Sequence, residues 1–296
     1  MKIAVSGASG LIGSRLVPAL EQAGHDVLRL VRREADGPNE VSWDPAAGAL
    51  DAAALRGIEG AVNVSGANVG RRWTAARKRE ILESRVQTTG LLARTLADLD
   101  PRPSVFVSAG GIDIYGDRGD EILTEESELG TSAFMVDVAK AWEDAAEPAR
   151  TAGLRVVNFR QAMVLSPEGG ALQRMLTPFK LGVGGRVGNG RQWWSWVSLD
   201  DVVAAYRLAL EGDITGRFNL VSPSPVPSAS FVKALGRALG RPTVFPLPAF
   251  GVKALFGEMG ETVLLESHRV LPARLLDAGF AFEHPGLDEA LEHALR

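Results

Sequence analysis

Three spaced glycines near the start, in Gly7-Ala8-Ser9-Gly10-Leu11-Ile12-Gly13, constrain this chain more than any other feature. They directly follow the aliphatic run Ile3–Ser6, which reads as a buried strand, and they open the amphipathic stretch Leu11–Ala23, which reads as a helix. Glycine at these positions lets the backbone approach a pyrophosphate with no Cβ in the way. The helix N-terminus adds free N–H groups and positive potential. A strand, this spacing and a helix in that order point to dinucleotide binding by Gly7, Ser9, Gly10, Leu11, Ile12 and Gly13. A tight turn without a ligand is the competing reading, and the pattern downstream weighs against it.

That pattern is an alternation. Val27–Val31, Ala61–Val64, Val105–Ser108 and Arg155–Val164 read as further buried strands, and Ala75–Leu99 and Ser132–Ala152 as helices between them. Alternating strands and helices imply an α/β fold, a doubly wound parallel sheet of the Rossmann type. Gly24 and Gly153 stand where helices should stop. Pro18 falls inside the first helix and predicts a kink there. Beyond residue 166 the character changes. Seven glycines lie between Ser166 and Gly190, and three prolines each in Ser222–Ser228 and Arg241–Pro248. These segments predict a smaller C-terminal substrate lobe, 166–296, with a distinct segment from about residue 246. The nucleotide-binding domain would span 1–165 and recruit about 196–221, including a helix over Asp200–Glu211 capped by Ser198 or Asp200.

Composition sets the outer bounds. The chain has 296 residues, 32 Lys+Arg against 36 Asp+Glu and no cysteine. Mild acidity argues against a nucleic-acid partner, and the missing thiols exclude disulfides, thiolate metal sites and cysteine nucleophiles. His25, His268, His284 and His293 are scattered, so no metal is expected. With no signal-peptide core and no apolar run of bilayer length, the expectation is a cytoplasmic protein without a membrane partner. Oligomeric state is left open.

The second strand ends in Arg32-Arg33, where an acidic residue would accept from a ribose 2′-OH and an arginine would pair with a 2′-phosphate. NADP is therefore expected in preference to NAD. Small residues at two later strand ends, Ser65-Gly66 and Ser108-Ala109, would let backbone pass close to the same cofactor, since open α/β sheets bind ligands at the carboxyl ends of their strands.

Together with Tyr115-Gly116, Phe159-Arg160 and Trp196–Asp201, these motifs resemble the extended short-chain dehydrogenase/reductase superfamily, which includes the NAD-dependent epimerases and dehydratases. Val41–Pro45, Arg72-Trp73-Thr74 with Ser84-Arg85-Val86, Ala141-Trp142-Glu143, Gly184–Gln192 and the tail Gly257–Leu275 narrow the resemblance to an atypical branch, the SDR39U1-like epimerase family proteins. The resemblance implies an NADP(H)-dependent epimerase or oxidoreductase acting on a small, sugar-like or anionic molecule. It does not supply the usual catalytic set. In the superfamily a serine works with Tyr-x-x-x-Lys, whose lysine lowers the tyrosine pKa across one helix face. Here the tyrosine and lysine positions fall on Met135 and Ala139, and the serine position on Gly110 or Gly111.

Substitutes are Tyr115, as a phenol near the nicotinamide, and Lys140, one step round the helix from the expected lysine. Asp113 is a further candidate base. Asn189, Arg191 and Gln192 are candidate substrate contacts, with Trp193, Trp194 and Trp196 as ligand walls or core. Arg71-Arg72-Trp73 with Arg77-Lys78-Arg79 reads as the charged start of a helix or as a contact with an anionic cofactor, ahead of a nucleic-acid contact. A non-catalytic NADP(H)-binding sensor or scaffold is the alternative to an enzyme.

Overall fold

The computed structural model describes residues 1–296. Strands joined by helices must run parallel, and the first two thirds of the chain builds the large sheet that this dictates. In chain order its elements are β1 (Lys2–Ser6), α1 (Gly13–Gln22), β2 (Asp26–Val31), β3 (Glu40–Asp44), β4 (Ala49–Leu50), β5 (Gly60–Asn63), α2 (Ala75–Asp98) and β6 (Val105–Gly111). A short β7 (Ile122–Leu123), α3 (Phe134–Asp144), α4 (Glu147–Thr151), β8 (Arg155–Gln161) and β9 (Met163–Leu165) follow. The sheet order is β12-β8-β6-β5-β1-β2-β3-β4, parallel throughout except for the edge pair β3·β4. β12 (Gly216–Leu220) comes from late in the chain and pairs with β8. The chain reverses its winding between β1 and β5, and the glycine turn sits at that switch point.

Alternation along the strands sends side chains to both faces. Ile3, Val5, Val62, Val107 and Phe159 pack with Leu16 and Leu20 of α1 and with Val202, Ala205 and Tyr206 of a later helix. Ala4, Ala61, Phe106 and Val156 face Leu91, Leu92 and Leu96 of α2.

Several expectations are adjusted by the structure. The helix expected over Ser132–Ala152 is two, because Pro148 has no N–H to continue the first and instead occupies the first turn of α4. Arg155–Val164 breaks at Ala162, whose N–H turns to the Leu220 carbonyl. Pro18 lies within a continuous α1. Glu40–Asp44, quoted only as a motif, is a sheet strand, with Trp43 buried on α2's side.

The second lobe contains α5 (Gly170–Lys180), β10 (Trp193–Trp194), β11 (Trp196–Ser198), α6 (Leu199–Glu211), β13 (Val226–Pro227), α7 (Ser228–Ala238), α8 (Ala249–Phe256) and β14 (Arg269–Val270). Of these, α6 returns to the large sheet. Ser198 is its N-cap, accepting from the Asp201 N–H at 2.9 Å, and the buried Asp201 carboxylate accepts the Glu283 N–H at 2.7 Å, tying in the C-terminal segment. Leu172, Phe179, Trp194, Trp196, Phe231, Val252 and Leu291 form the lobe's own core. No helix is long and apolar enough to cross a membrane.

One buried polar network joins the two parts. Arg160 on β8 and Glu143 on α3, 2% and 3% exposed, meet in a two-point ion pair of 2.7 and 3.1 Å. Arg217 on β12 adds a second donor to the same carboxylate at 2.9 Å. Burial works against the Arg160 charge, yet the Glu143 bonds and charge more than offset it, and its pKa is raised. Removing one partner strands the other charge. Glu143→Leu is expected to lower unfolding stability in urea by about 3–5 kcal/mol, whereas Glu80→Gln, which breaks the surface pair with Arg77, should cost no more than about 1 kcal/mol.

Candidate functional site

The glycine turn is built for close approach. Gly7 has φ +77°, and a Cβ there would lie 2.8 Å from the Val64 carbonyl carbon and 2.9 Å from the Ser65 nitrogen. A Cβ on Gly13 would lie 2.2 Å from the Gly7 oxygen. Helix α1 starts with no side-chain cap and no acidic residue in its first turn. No acceptor of the protein takes the N–H groups of Leu11, Ile12 and Gly13. These amides, at the positive end of a helix dipole, suit a pyrophosphate. Ser9 and Gly10 lie exposed on the same turn.

A buried polar lock sets the strand tips beside it. Ser6 donates to Asn63 Oδ1 at 2.5 Å, Asn63 donates to Thr89 at 2.7 Å, and Ser65 N–H returns to Asn63 at 3.1 Å. Ser65 and Gly66 are thereby fixed beside the turn, while Ser108 and Ala109 are buried within β6. At the end of β2 the two arginines part company. Arg33 is bound at two points by Glu40, at 2.7 and 2.6 Å, and its pKa is raised by that bond. Arg32 makes no ion pair or hydrogen bond and is exposed. Of the two, Arg32 is the cation free to meet a phosphate.

The expected catalytic substitutes are placed elsewhere. Tyr115 is fully buried, donating to Asn219 Oδ1 at 2.7 Å and accepting from Arg160 at 2.8 Å. Burial pushes its pKa up, against the pull of Arg160. The phenol expected to serve as a proton donor is thus bound into the Arg160–Glu143 network, with both partners taken from the protein. Lys140 donates to the Gly130 carbonyl at 2.6 Å and braces the loop ahead of α3. The tyrosine position, Met135, is packed against Trp73, Ile81 and Met259. Met259 of the C-terminal segment belongs to the same buried cluster.

The second glycine loop is likewise structural. Gln192 is buried and its amide donates to Val187 and Leu264 carbonyls at 3.1 and 2.9 Å, which removes it from substrate contact. Asn189 accepts from the Arg191 N–H at 2.8 Å, closing its own turn, and both side chains stay exposed. Trp194 packs edge-on to Phe231, Trp196 is fully buried, and Trp193 donates to Asp120 beneath Arg269. In the basic cluster, Arg77 pairs with Glu80, and Lys78 with Glu258 at 2.6 Å.

Four groups gather instead at the tips of β5 and β6. Arg85 of α2 is 8% exposed, donates to the Ala67 and Ile81 carbonyls, and has no carboxylate partner. Its Nε is buried without an acceptor, and burial lowers its pKa to about 10, with Asp113 pulling the other way and Arg77 adding to the fall. Asp113 curls back so that its Oδ2 lies 2.9 Å from where a Cβ of Gly111 would be. Its carboxylate fills the space of the missing serine. Glu266 and His268 come from the C-terminal segment. Strand β14 pairs parallel with β7, and Ser267 donates its N–H to Asp117 and its hydroxyl to the Gly119 carbonyl, at 3.2 and 2.6 Å. His268 Nε2 is buried without a partner, 4.0 Å from Glu266 Oε2. Burial pushes Glu266 up to about 7, reinforced by Asp113 and Asp117 and opposed by the Thr262 hydroxyl. Burial holds His268 below its usual range while the same two aspartates pull upward.

Of these, sequence reading offered only Asp113 as a candidate and set His268 among the scattered histidines. Arg85 appeared only within a motif, and nothing local marks Glu266 or His268. The fold also joins two of the scattered histidines. His284 and His293 stack at 4.2 Å beside Asp200, which accepts from His293 at 2.9 Å and pairs with Arg15 at 3.8 Å. Their donor atoms lie within 4.8 Å of one another.

Two outcomes follow from this geometry. Tyr115→Phe should cost about 1–3 kcal/mol of stability, by leaving Arg160 and Asn219 short of a partner, and should leave nucleotide affinity unchanged in a fluorescence titration. Glu266 holds its proton to about pH 7 when folded but loses it near 4.5 when unfolded. Its contribution to stability therefore falls as pH rises from 4.5 to 7, and Glu266→Gln should flatten that part of the stability–pH curve.

Comparison with known proteins identifies the family. Residues 3–220 match the NAD dependent epimerase/dehydratase family, and residues 247–294 match a domain of unknown function, DUF1731. The epimerase family protein Mb2239 of Mycobacterium bovis is 41% identical over 294 residues, covering 99% of this chain and 97% of that one. Human epimerase family protein SDR39U1 is 35% identical over 296 residues, with 99% of each chain covered. Its crystal structure with NADPH superposes with a TM-score of 0.90 at 34% identity, over the whole of both chains. A nucleoside-diphosphate sugar epimerase from Corynebacterium glutamicum gives 0.83 at 33% identity, covering all of this chain and 58% of that one. With its α/β sheet, its glycine turn and its C-terminal segment all matched, this chain belongs to the NAD dependent epimerase/dehydratase family, among the SDR39U1-type epimerase family proteins.

Proposed function

We propose that this protein binds NADP(H) across the tips of β1, β2, β5 and β6 and uses it on a small, hydroxyl-bearing, sugar-like molecule, as an oxidoreductase or epimerase. The observation that carries the reading is the turn at Gly7–Gly13, with three unclaimed amides and no room for a side chain. The NADPH in the human SDR39U1 structure supports it. When bound, the nicotinamide supplies or accepts a hydride. This chain would hold the pyrophosphate through Leu11, Ile12 and Gly13 amides, and the 2′-phosphate through Arg32, with Ser65 and Gly66 passing close by. The Asp113 carboxylate would accept from a hydroxyl group and repel an anion, which favours the sugar-like over the anionic substrate. The usual serine, tyrosine and lysine take no part. Their absence also favours the rival reading, a non-catalytic NADP(H) sensor. Screening hydroxylated and carbonyl metabolites for a change in NADPH absorbance separates the two, since a sensor gives no turnover.

The choice of nucleotide rests on Arg32. Arg32→Asp should weaken NADPH by about tenfold or more while changing NADH by no more than about threefold. Arg33→Gln, which removes an arginine already held by Glu40, should discriminate less. Equal losses of both nucleotides in Arg32→Asp would remove that residue from the 2′-phosphate site.

A further inference from the structure

We propose that Glu266 and His268, brought to the tip of β6 by the C-terminal segment, are the pair that takes or gives the proton at the substrate oxygen, with Asp113 standing in the serine position. The proposal rests on the NADP(H) reading above and assigns a chemical task to a segment that the family match leaves without one.

Three independent features of the site carry it. First, the positions that do this work elsewhere in the superfamily are closed. Met135 is packed beneath Trp73 and Met259, and Tyr115 is consumed by Arg160 and Asn219. Second, the serine position is filled in space though not in sequence, since the Asp113 carboxylate lies where a side chain on Gly111 would reach. Third, His268 is 8% exposed and its Nε2 is buried with no partner. A buried ring nitrogen left unpaired is costly and calls for an explanation. A substrate hydroxyl is the partner that the location supplies.

The segment is held for such a role. Its backbone is fixed on both sides of His268, by Ser267 to Asp117 and Gly119 and by Ser195, whose hydroxyl donates to the His268 carbonyl at 2.8 Å. The charged groups acting on the pair are Asp113 and Asp117 from the connection after β6. Arg85 of α2 abuts Gly66 and feels the field of Asp113 from the other side. Arg118, in the loop before β7, and Arg269, on β14, are turned away to Glu121 and to Trp193.

In the oxidative direction a C–H bond at the carbinol carbon breaks and its electron pair leaves toward the nicotinamide dinucleotide. The C–O bond becomes C=O, and the hydroxyl proton passes to His268 Nε2, where the Glu266 carboxylate 4.0 Å away stabilises the cation. The carbon is oxidised and the dinucleotide reduced. Reduction runs the same path backward, returning the proton to oxygen.

The test uses charge rather than turnover. NADP+ carries a positive nicotinamide ring that NADPH lacks, while the phosphates are common to both. A proton-exchanging pair beside that ring must favour NADP+ more strongly once it has lost its proton. Affinities of the full-length protein for NADP+ and NADPH, measured by calorimetry from pH 5.5 to 8.5, give the ratio. In the wild type, preference for NADP+ should rise with pH by about threefold or more. In Glu266→Gln and His268→Gln the rise should shrink or vanish, with NADPH affinity itself within about threefold of wild type. If both nucleotides bind but the ratio is flat in the wild type, or rises equally in all three proteins, the proposal fails and the cofactor reading stands. If neither nucleotide binds the wild type, both fail. Should His268→Gln not fold, Glu266→Gln and the wild-type profile decide the matter alone.

Discussion

The ion pair between Arg160 and Glu143 is the interaction on which the rest depends. Two charges almost out of water are tolerable only when every lone pair and N–H finds a partner. That requirement recruits Tyr115 from the end of β6, Asn219 and Arg217 from β12, and, through the Asn219 amide, the Leu271 carbonyl of the C-terminal segment. Strand, helix and tail are thus assembled around one carboxylate. The same demand takes the one tyrosine that sequence motifs place near the crevice and uses its hydroxyl for structure.

With the tyrosine committed, the crevice is finished by parts distant in sequence. Residues 257–271 run from the second lobe to the connection after β6, where β14 adds to β7 and Met259 joins the buried cluster that includes Met135 and Val138 of α3. Arg85, Asp113, Glu266 and His268 converge there from three elements. One buried arginine, a histidine whose charged form burial disfavours and two carboxyl groups form a site whose protonation is sensitive to any charge that enters. The C-terminal segment is accordingly part of the site and not an appendage to it.

The glycine turn works by a different principle. Its geometry is local, set by steric exclusion at Gly7 and Gly13 and by the start of α1, and needs only neighbouring β5 to be complete. The nucleotide end of the crevice is therefore a local construction, and the end at Asp113 is not. The first is made of backbone, which tolerates sequence change, and the second of side chains carried by separate segments.

What the sequence determined by itself follows that division. Periodicity located the buried strands and their helices, glycine spacing located the nucleotide turn, and the lack of any Tyr-x-x-x-Lys argued against the usual chemistry, because each of these depends on residues close together in the chain. Only the tertiary structure decided which polar side chains were free. Arg32 and Arg33 are adjacent and alike, and Glu40 alone separates them. Gln192 and Tyr115 carry suitable groups but spend them on Leu264 and Asn219, and His268 comes within the field of Asp113 and Asp117 only because β14 pairs with β7. A hydrogen bond or an unpaired nitrogen is settled by partners that may lie a hundred residues away, and no local pattern records them.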